Sequence, residues 1–297
     1  MYKDAKELIN KFLNIEINDM QVHRVTNTQG ALAATIVDES AAQTLKAAVK
    51  PSEVVYAQFD GSMVFTREDA WQEVKVGRIF SSGQIAQLSD KRSEIMGSLY
   101  TAHLGDKDGF LAKFEPLTDT FDALHHRLVF ITDGAVWMRN WITASYPKAT
   151  QILDVFHALQ HINEWLVLYE KSDAERAILQ QVYKKMLLES GGTAVYAAIA
   201  ALTPKTKTAI AQQILLLNYL KKNELRMDYP AYLAQNLYIG SGAIEAAQRS
   251  VVQQRLKLSG QRWTEIGAQN VLNLRTARMS GLWHHVVDNI RNYTNVA

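Results

Sequence analysis

Asp60 and Asp133 sit in the same local setting: each ends a short β-branched, aromatic run and each is followed directly by glycine. A carboxylate at a strand end is presented at the rim of a sheet on rigid backbone, and the glycine leaves open space beside it. On neighbouring strands the two would face one point, and hard oxygen ligands fixed in that way bind Mg²⁺ or Mn²⁺. Holding two ions needs a third acid. Glu245 is the candidate, because it follows Gly240-Ser-Gly242 in the first turn of an expected helix, with Arg249 and Gln253 on the same face by i, i+4 spacing. Two ions roughly 3.5–4 Å apart can activate a water and stabilise the leaving oxygen in phosphodiester cleavage. Taken singly, an Asp-Gly at a strand end is most often a turn, and a glutamate in a first helical turn most often offsets the helix dipole. Spacing alone leaves both readings open.

Other groups carry weaker chemistry. His157 and His161 form an H-x-x-x-H pair on one helix face, but Ala158 stands where a zinc protease needs its glutamate base, and the chain has no cysteine to complete a structural site. The protease reading fails. His125-His126 precedes a strand and reads as a surface loop pair. Between Gln248 and Gly281 the bases Arg249, Arg255, Lys257, Arg262, Arg275 and Arg278 face one acid, Glu265. Such a stretch is either a phosphate-binding surface or a solvated helix face. Trp263 lies among these bases, where base stacking and helix packing are equally good accounts. Trp137, Trp141 and Trp165 follow helical spacing and read as core.

The elements that would position these groups follow from periodicity. Residues 1–50 read as helices, with Leu8, Ile9, Phe12 and Leu13 as one apolar stripe, a weaker stretch over 21–36 and an Ala-rich third over 39–50. Residues 53–59, 63–66 and 71–80 read as three strands of an antiparallel meander, with Asp60-Gly61 as the first turn. Residues 82–127 are mixed, with a turn at Gly105-Asp-Lys-Asp-Gly109 and helix on both sides. Arg127–Thr132 suits a buried strand, Val136–Ser145 a short helix and Thr150–Leu153 another strand. From Val155 to about Asn236 the pattern is helical, punctuated by Gly191-Gly192, with Thr203-Pro204 as a helix start. After Tyr238-Ile-Gly-Ser-Gly242, helices run to the end with a hinge at Gly260. A mixed α/β core interrupted by an all-helical block fits this order, which matches a ribonuclease H-like layout. The expected division is a helical segment over 1–53, a first core part over 54–154, a helical insertion over 155–237, and helices completing the core over 238–297.

Three blocks carry a resemblance to a known family. Tyr238-Ile-Gly-Ser-Gly-Ala-Ile-Glu245, followed by Gln254-Arg-Leu-Lys-Leu-Ser-Gly-Gln-Arg-Trp263 and Gly267-Ala-Gln-Asn-Val-Leu-Asn-Leu-Arg275, resembles the C-terminal catalytic block of bacterial insertion-sequence transposases of the DDE type, the ISKra-type group above all. Phe59-Asp-Gly61 with Trp71-Gln-Glu-Val-Lys-Val-Gly-Arg78 resembles the first-acid block of that group, and Ile131-Thr-Asp-Gly-Ala-Val-Trp137 the second. The resemblance spans about residues 54–283. It implies a ribonuclease H-like core, Asp60, Asp133 and Glu245 as a metal-binding triad for two Mg²⁺ (or Mn²⁺) per site, and a helical insertion between the second and third acids. Asp154-Val-Phe-His157 is similar to an Asp-x-x-His signature of related transposases, which implies a supporting or DNA-contacting role for Asp154 and His157.

The resemblance further implies cleavage of transposon-end DNA and strand transfer into target DNA. Arg249, Arg255, Lys257, Arg262 and Trp263 would hold double-stranded DNA, and a homodimer or larger assembly would be needed because joining two ends takes two active sites. The alternatives are a domesticated, non-cleaving DNA-binding protein that keeps the fold, and a stand-alone nuclease of the ribonuclease H superfamily. Relatives carry a longer N-terminal region, whereas here 53 residues precede the first strand and 18–30 holds one Arg and one His. That is expected of a truncated element, the second product of a split gene, or a protein that relies on a separate DNA-recognition partner.

Composition sets the remaining bounds. Hydrophobic residues make 47% and charged residues 21%, with 5 Pro and 15 Gly, which is neither disordered nor fibrous. The absence of Cys excludes a disulfide scaffold and a catalytic thiol. Lys and Arg exceed Asp and Glu by 32 to 30, so the chain as a whole is no polycation. No apolar run is long enough to span a bilayer and the N-terminus lacks a signal-peptide core. The expectation is a cytoplasmic, nucleoid-associated protein with no membrane partner.

Overall fold

The computed structural model describes residues 2–89, 92–121 and 127–294; His125-His126 lies outside the described residues. The chain forms two units, Met1–Leu128 with Gly242–Ala297, and Val129–Ser241. Both mix helix and strand, so the protein is α/β, with strands of both orientations.

The first unit opens with helices α1 (Tyr2–Leu13), α2 (Asp19–Leu32) and α3 (Glu39–Ala48). The stripe of Leu8, Ile9, Phe12 and Leu13 buries none of its residues. Strands β1 (Val54–Thr66) and β2 (Ala70–Ser81) then form a long antiparallel hairpin, paired from Val55↔Ser81 to Thr66↔Ala70. This corrects the expected meander: β1 runs through Asp60-Gly61 without a turn, fusing two expected strands. A Cβ at Gly61 would meet the carboxylate end of Glu73 on the paired strand. The chain reverses later, where the Thr66 hydroxyl accepts the Asp69 N–H at 3.3 Å.

Strands β3 (Ile85–Ser89) and β4 (Arg92–Ile95) pair with each other, and β5 (Leu99–Leu104) lies antiparallel to β2. Helix was expected before Gly105, but β5 is buried on both faces, and such a run loses the alternation that marks a strand. Helix α4 (Lys107–Asp119) starts where a turn was expected, because Asp106 Oδ1 accepts the Gly109 N–H at 2.8 Å as an N-cap. Phe110 and Phe114 of α4 stack on one another and on Phe59 of β1, which closes one face of the sheet.

The second unit holds the parallel strands β6 (Arg127–Thr132) and β7 (Thr150–Leu153), joined through α5 (Val136–Ser145) and in register from Val129↔Thr150 to Thr132↔Leu153. All three elements fall where the sequence pattern sets them. Helices α6 (Val155–Tyr169), α7 (Asp173–Ala200), α8 (Lys207–Asn223) and α9 (Tyr229–Ala234) form the helical block. Gly191 kinks α7 at φ +78°, as the Gly-Gly pair suggested. The start of α8 differs from expectation: its N-cap is Thr206, whose hydroxyl accepts the Ala209 N–H at 3.2 Å, rather than Thr203-Pro204. Trp165 is fully buried at the centre, while Trp137 and Trp141 are half-buried.

The chain returns to the first unit through α10 (Gly242–Ala247), a π-helix (Gln248–Gln253), α11 (Gln254–Leu256), α12 (Glu265–Met279) and α13 (Trp283–Thr294). Ile244, Ala247, Val251 and Val252 pack on Val64, Val74 and Val76, covering the sheet face opposite α4. Helix α2 lies on α12 with its backbone close, the Gly30 carbonyl accepting from Asn273 Nδ2 at 3.0 Å. Among the described residues, no helix is long and apolar enough to cross a membrane.

Candidate functional site

In the first unit, Gln58, Asp60, Ser62 and Val64 alternate along β1 and therefore share one face. That face meets the segment that carries Glu245. Gln58 Oε1 accepts the Ile244 N–H at 3.0 Å, one of the N-terminal amides that a helix cannot satisfy itself. Directly opposite Gln58 in the ladder stands Arg78, whose Nη1 donates to the Ala243 carbonyl at 2.9 Å and whose Nε donates to Ser98 Oγ at 3.0 Å. One turn past Glu245, Gln248 Nε2 donates to the Asp60 carbonyl at 2.9 Å. Lys257 Nζ donates to Ser62 Oγ at 3.2 Å. The helix bearing Glu245 is thus gripped at both of the preceding residues and laid over the side of β1 to which Asp60 points. The Asp60 carboxylate accepts the Gly61 N–H at 2.7 Å, which fixes its rotamer.

The π-helix alters the spacing on which the sequence reading relied. The Gln254 N–H reaches back five residues to the Arg249 carbonyl, while Glu245, Arg249 and Gln253 all stay exposed opposite the buried Ile244, Ala247, Val251 and Val252. Arg275, counted among the surface bases, is buried: its Nε donates to the Ser250 carbonyl at 3.0 Å and its Nη2 to Gln254 Oε1 at 3.2 Å, anchoring the π-helix from α12. Trp263 is corrected as well. It is 7% exposed, its Nε1 donates to the Leu256 carbonyl at 3.2 Å, and its backbone bridges the end of β1 through Phe65 and Arg67. The ring is core and offers no face to a base. Arg249, Arg255, Lys257 and Arg262 remain exposed.

In the second unit, Asp133 follows directly on β6, as expected of a strand-end carboxylate. Its Oδ1 accepts the Ala135 N–H at 2.9 Å, an Asx turn made possible by Gly134 at φ +99°. Its carbonyl accepts from the Tyr219 hydroxyl of α8 at 3.3 Å. Burial, with the nearby Asp133 charge adding to it, pushes the Tyr219 phenol far above its ordinary range, so it stays a donor. The His161 ring lies on the Tyr219 ring, centroids 4.2 Å apart.

Asp154 caps α6 from complete burial. Its carboxylate accepts the N–H groups of Phe156 (3.3 Å), His157 (3.1 Å) and Ser241 (2.8 Å), and pairs with His157 Nδ1 at 2.6 Å. Burial alone would raise its pKa; the bonds from His157 and Ser241 outweigh this and hold the carboxyl below its ordinary value. The Val155 N–H donates to the Ile239 carbonyl at 3.0 Å. The Asp-x-x-His pair therefore fastens residues 239–241, the run that leads directly into the Glu245 helix.

Asp60 and Glu245 belong to the first unit and Asp133, Asp154 and His157 to the second. Within either unit, the described residues include no group of three His, Asp or Glu close enough to hold a metal ion. Sequence reasoning missed Gln58, Arg78 and Gln248, whose roles come from which helix terminus they meet; the register of the β1–β2 hairpin was the only available signal. The chain matches no protein-family model and no curated protein.

Proposed function

We propose that this chain is the catalytic protein of a DDE-type transposase with a ribonuclease H-like core, in which Asp60, Asp133 and Glu245 are the metal-binding carboxylates. The observation that carries the reading is the grip of Gln58 and Arg78 on Ala243 and Ile244, which brings Glu245 to the Asp60 side of β1. The donor chemistry fits Mg²⁺ or Mn²⁺: carboxylate oxygens, with Asp60 and Asp133 each fixed by a neighbouring backbone N–H. When bound, such ions supply an activated water and stabilise the leaving oxygen.

The chain's own residues do the rest. Arg249, Arg255, Lys257 and Arg262 neutralise backbone phosphates, giving salt-dependent affinity for double-stranded DNA. Asp154 and His157 hold residues 239–241, the run that enters α10. Hydrolysis of a phosphodiester frees a 3′-hydroxyl, which then attacks a target phosphodiester and displaces its 3′-oxygen. Two such sites act together in a homodimer or larger assembly.

The test is a cleavage and joining assay on duplex DNA with Mg²⁺ or Mn²⁺. Wild type should yield cut and joined products, and Asp133→Ala should fold and bind DNA yet cut nothing. Cutting by Asp133→Ala would sink the triad. Cut but unjoined products would favour a stand-alone nuclease, and DNA binding without cutting a regulatory protein.

A further inference from the structure

We propose that Arg226 and Arg139 form a binding site for a phosphate group in the second unit, at the end of α8 that also holds Asp133. Arg226 closes the single 3₁₀ turn Glu224–Arg226 that follows α8 and is 5% exposed. Its Nη2 donates to Asn223 Oδ1, but its Nε and Nη1 are buried without any hydrogen-bond partner. Arg139 of α5 comes to the same place, its Nη1 donating to the Lys222 carbonyl at 3.1 Å. Lys222 and Asn223 are the last two residues of α8, so two guanidinium groups meet at one helix terminus. Neither makes an ion pair with a carboxylate among the described residues.

A helix C-terminus attracts cations, and that accounts for Arg139, which bonds a terminal carbonyl. It does not account for Arg226, whose Nε and Nη1 meet no terminal carbonyl. A buried guanidinium with unmet donors is unfavourable, and an apolar side chain of similar volume would sit there more comfortably. What satisfies a planar fork of donors is an acceptor with several oxygens at fixed spacing, and phosphate has that geometry. The charges agree. Arg139 repels Arg226 and depresses its pKa after burial has done so, while Tyr219, Asp133 and Tyr229 work against both effects. Alone, the Asp133 carboxylate would turn a phosphate away; the Arg226 charge acts on Asp133 directly, and Arg139 adds a second positive charge to that of Arg226. The bond from Tyr219 to the Asp133 carbonyl and that from Asn223 Nδ2 to the Tyr219 carbonyl (2.9 Å) make α8 a shared support for the acid and the anion site.

Under the transposase reading, the phosphate is one of the DNA backbone beside the scissile bond; the anion site itself does not depend on that reading. The test soaks crystals of the full chain in tungstate and titrates the chain with inorganic phosphate at constant ionic strength, against chloride. Anomalous density against Arg226 Nε and Nη1 is expected, with phosphate affinity weakened at least tenfold in Arg226→Met and several-fold in Arg139→Gln. If Arg226→Met does not fold, Arg139→Gln, a half-buried position with a single backbone bond, carries the comparison. Density elsewhere only, or unchanged phosphate affinity in a folded variant, overturns the site. Duplex DNA affinity lowered in the same variants supports a backbone phosphate. Unchanged DNA affinity beside lost phosphate binding overturns that part and assigns a free phosphate. Phosphate binding that survives in a chain unable to cut DNA would fail the transposase reading alone.

Discussion

Replacing Asp154 with asparagine isolates what its charge does, because size and capping ability are kept. Five donors converge on the carboxylate: the amides of Phe156, His157 and Ser241, the Ser241 hydroxyl, and His157 Nδ1. Oδ1 serves Phe156 and Ser241, and Oδ2 serves both groups of His157. The best the amide can do is place its oxygen at the Oδ1 position and donate from Nδ2 to a neutral His157 ring. That leaves the His157 amide without an acceptor, for about 1–3 kcal/mol, and removes the charge from the remaining bonds, for roughly 1 kcal/mol more. Asp154→Asn should therefore lose about 2–4 kcal/mol, a large part of an ordinary domain's roughly 5–15 kcal/mol. Asp154→Ala should lose more, since every one of these donors loses its acceptor. Urea unfolding would read the change as a shift in midpoint at unchanged slope. The pH dependence adds a second readout. A folded-state pKa held below the unfolded one, about 3.9, gives stability that is full above that value and is lost as pH falls through the folded pKa. Below about pH 4 wild type should thus lose its advantage, and the two stability curves should converge. A loss under 1 kcal/mol at pH 7, or a gap that does not narrow in acid, would refute the network as described.

Four further changes probe the other supports. Gln58→Ala leaves the Ile244 amide without its acceptor; unfolding should report a loss of roughly 1–2 kcal/mol, with DNA cleavage per folded molecule falling at least tenfold if Glu245 is catalytic. Trp263→Ala should remove about 3–5 kcal/mol of stability, as a core truncation does. Exposed Lys257→Ala should stay within about 0.5 kcal/mol, yet lower DNA affinity and reduce the salt slope by about 1; the opposite pattern would exchange their roles. Gly134→Ala forces a side chain into φ +99° with its Cβ 2.8 Å from Leu153 Cδ1, so melting should show a loss of roughly 1–3 kcal/mol.

The legible parts of the chain were those with one-sided burial or strong punctuation. Val136–Ser145, Thr150–Leu153 and the start of α6 fall where periodicity sets them, because each is short and bounded by Gly, Pro or a capping Asp. The strand-end position of Asp133 was legible for the same reason. Asp60 was not: Asp-Gly is the strongest short-range turn signal, and only the partner strand reveals that the ladder continues through it. β5 read as helix because both of its faces are covered. Trp263 and Arg275 look like surface residues in a basic stretch, and what buries them is the packing of α12 and the end of β1, which lie far away in sequence. The supports of Glu245 were illegible in principle, since a glutamine on a strand does not announce which amide it will accept.

The wide turn between Gln248 and Gln253 makes chain length, more than composition, the sensitive quantity in this stretch. One residue removed there would tighten the coil to ordinary pitch and rotate everything downstream by about a quarter turn, swinging Lys257 off Ser62 and pulling Arg275 from the carbonyl it holds. Single-residue insertions would do the same in the opposite sense. Substitutions at the exposed Arg249 and Gln253 should be forgiven where deletions are not, so the count from Glu245 to Lys257 behaves as a fixed ruler.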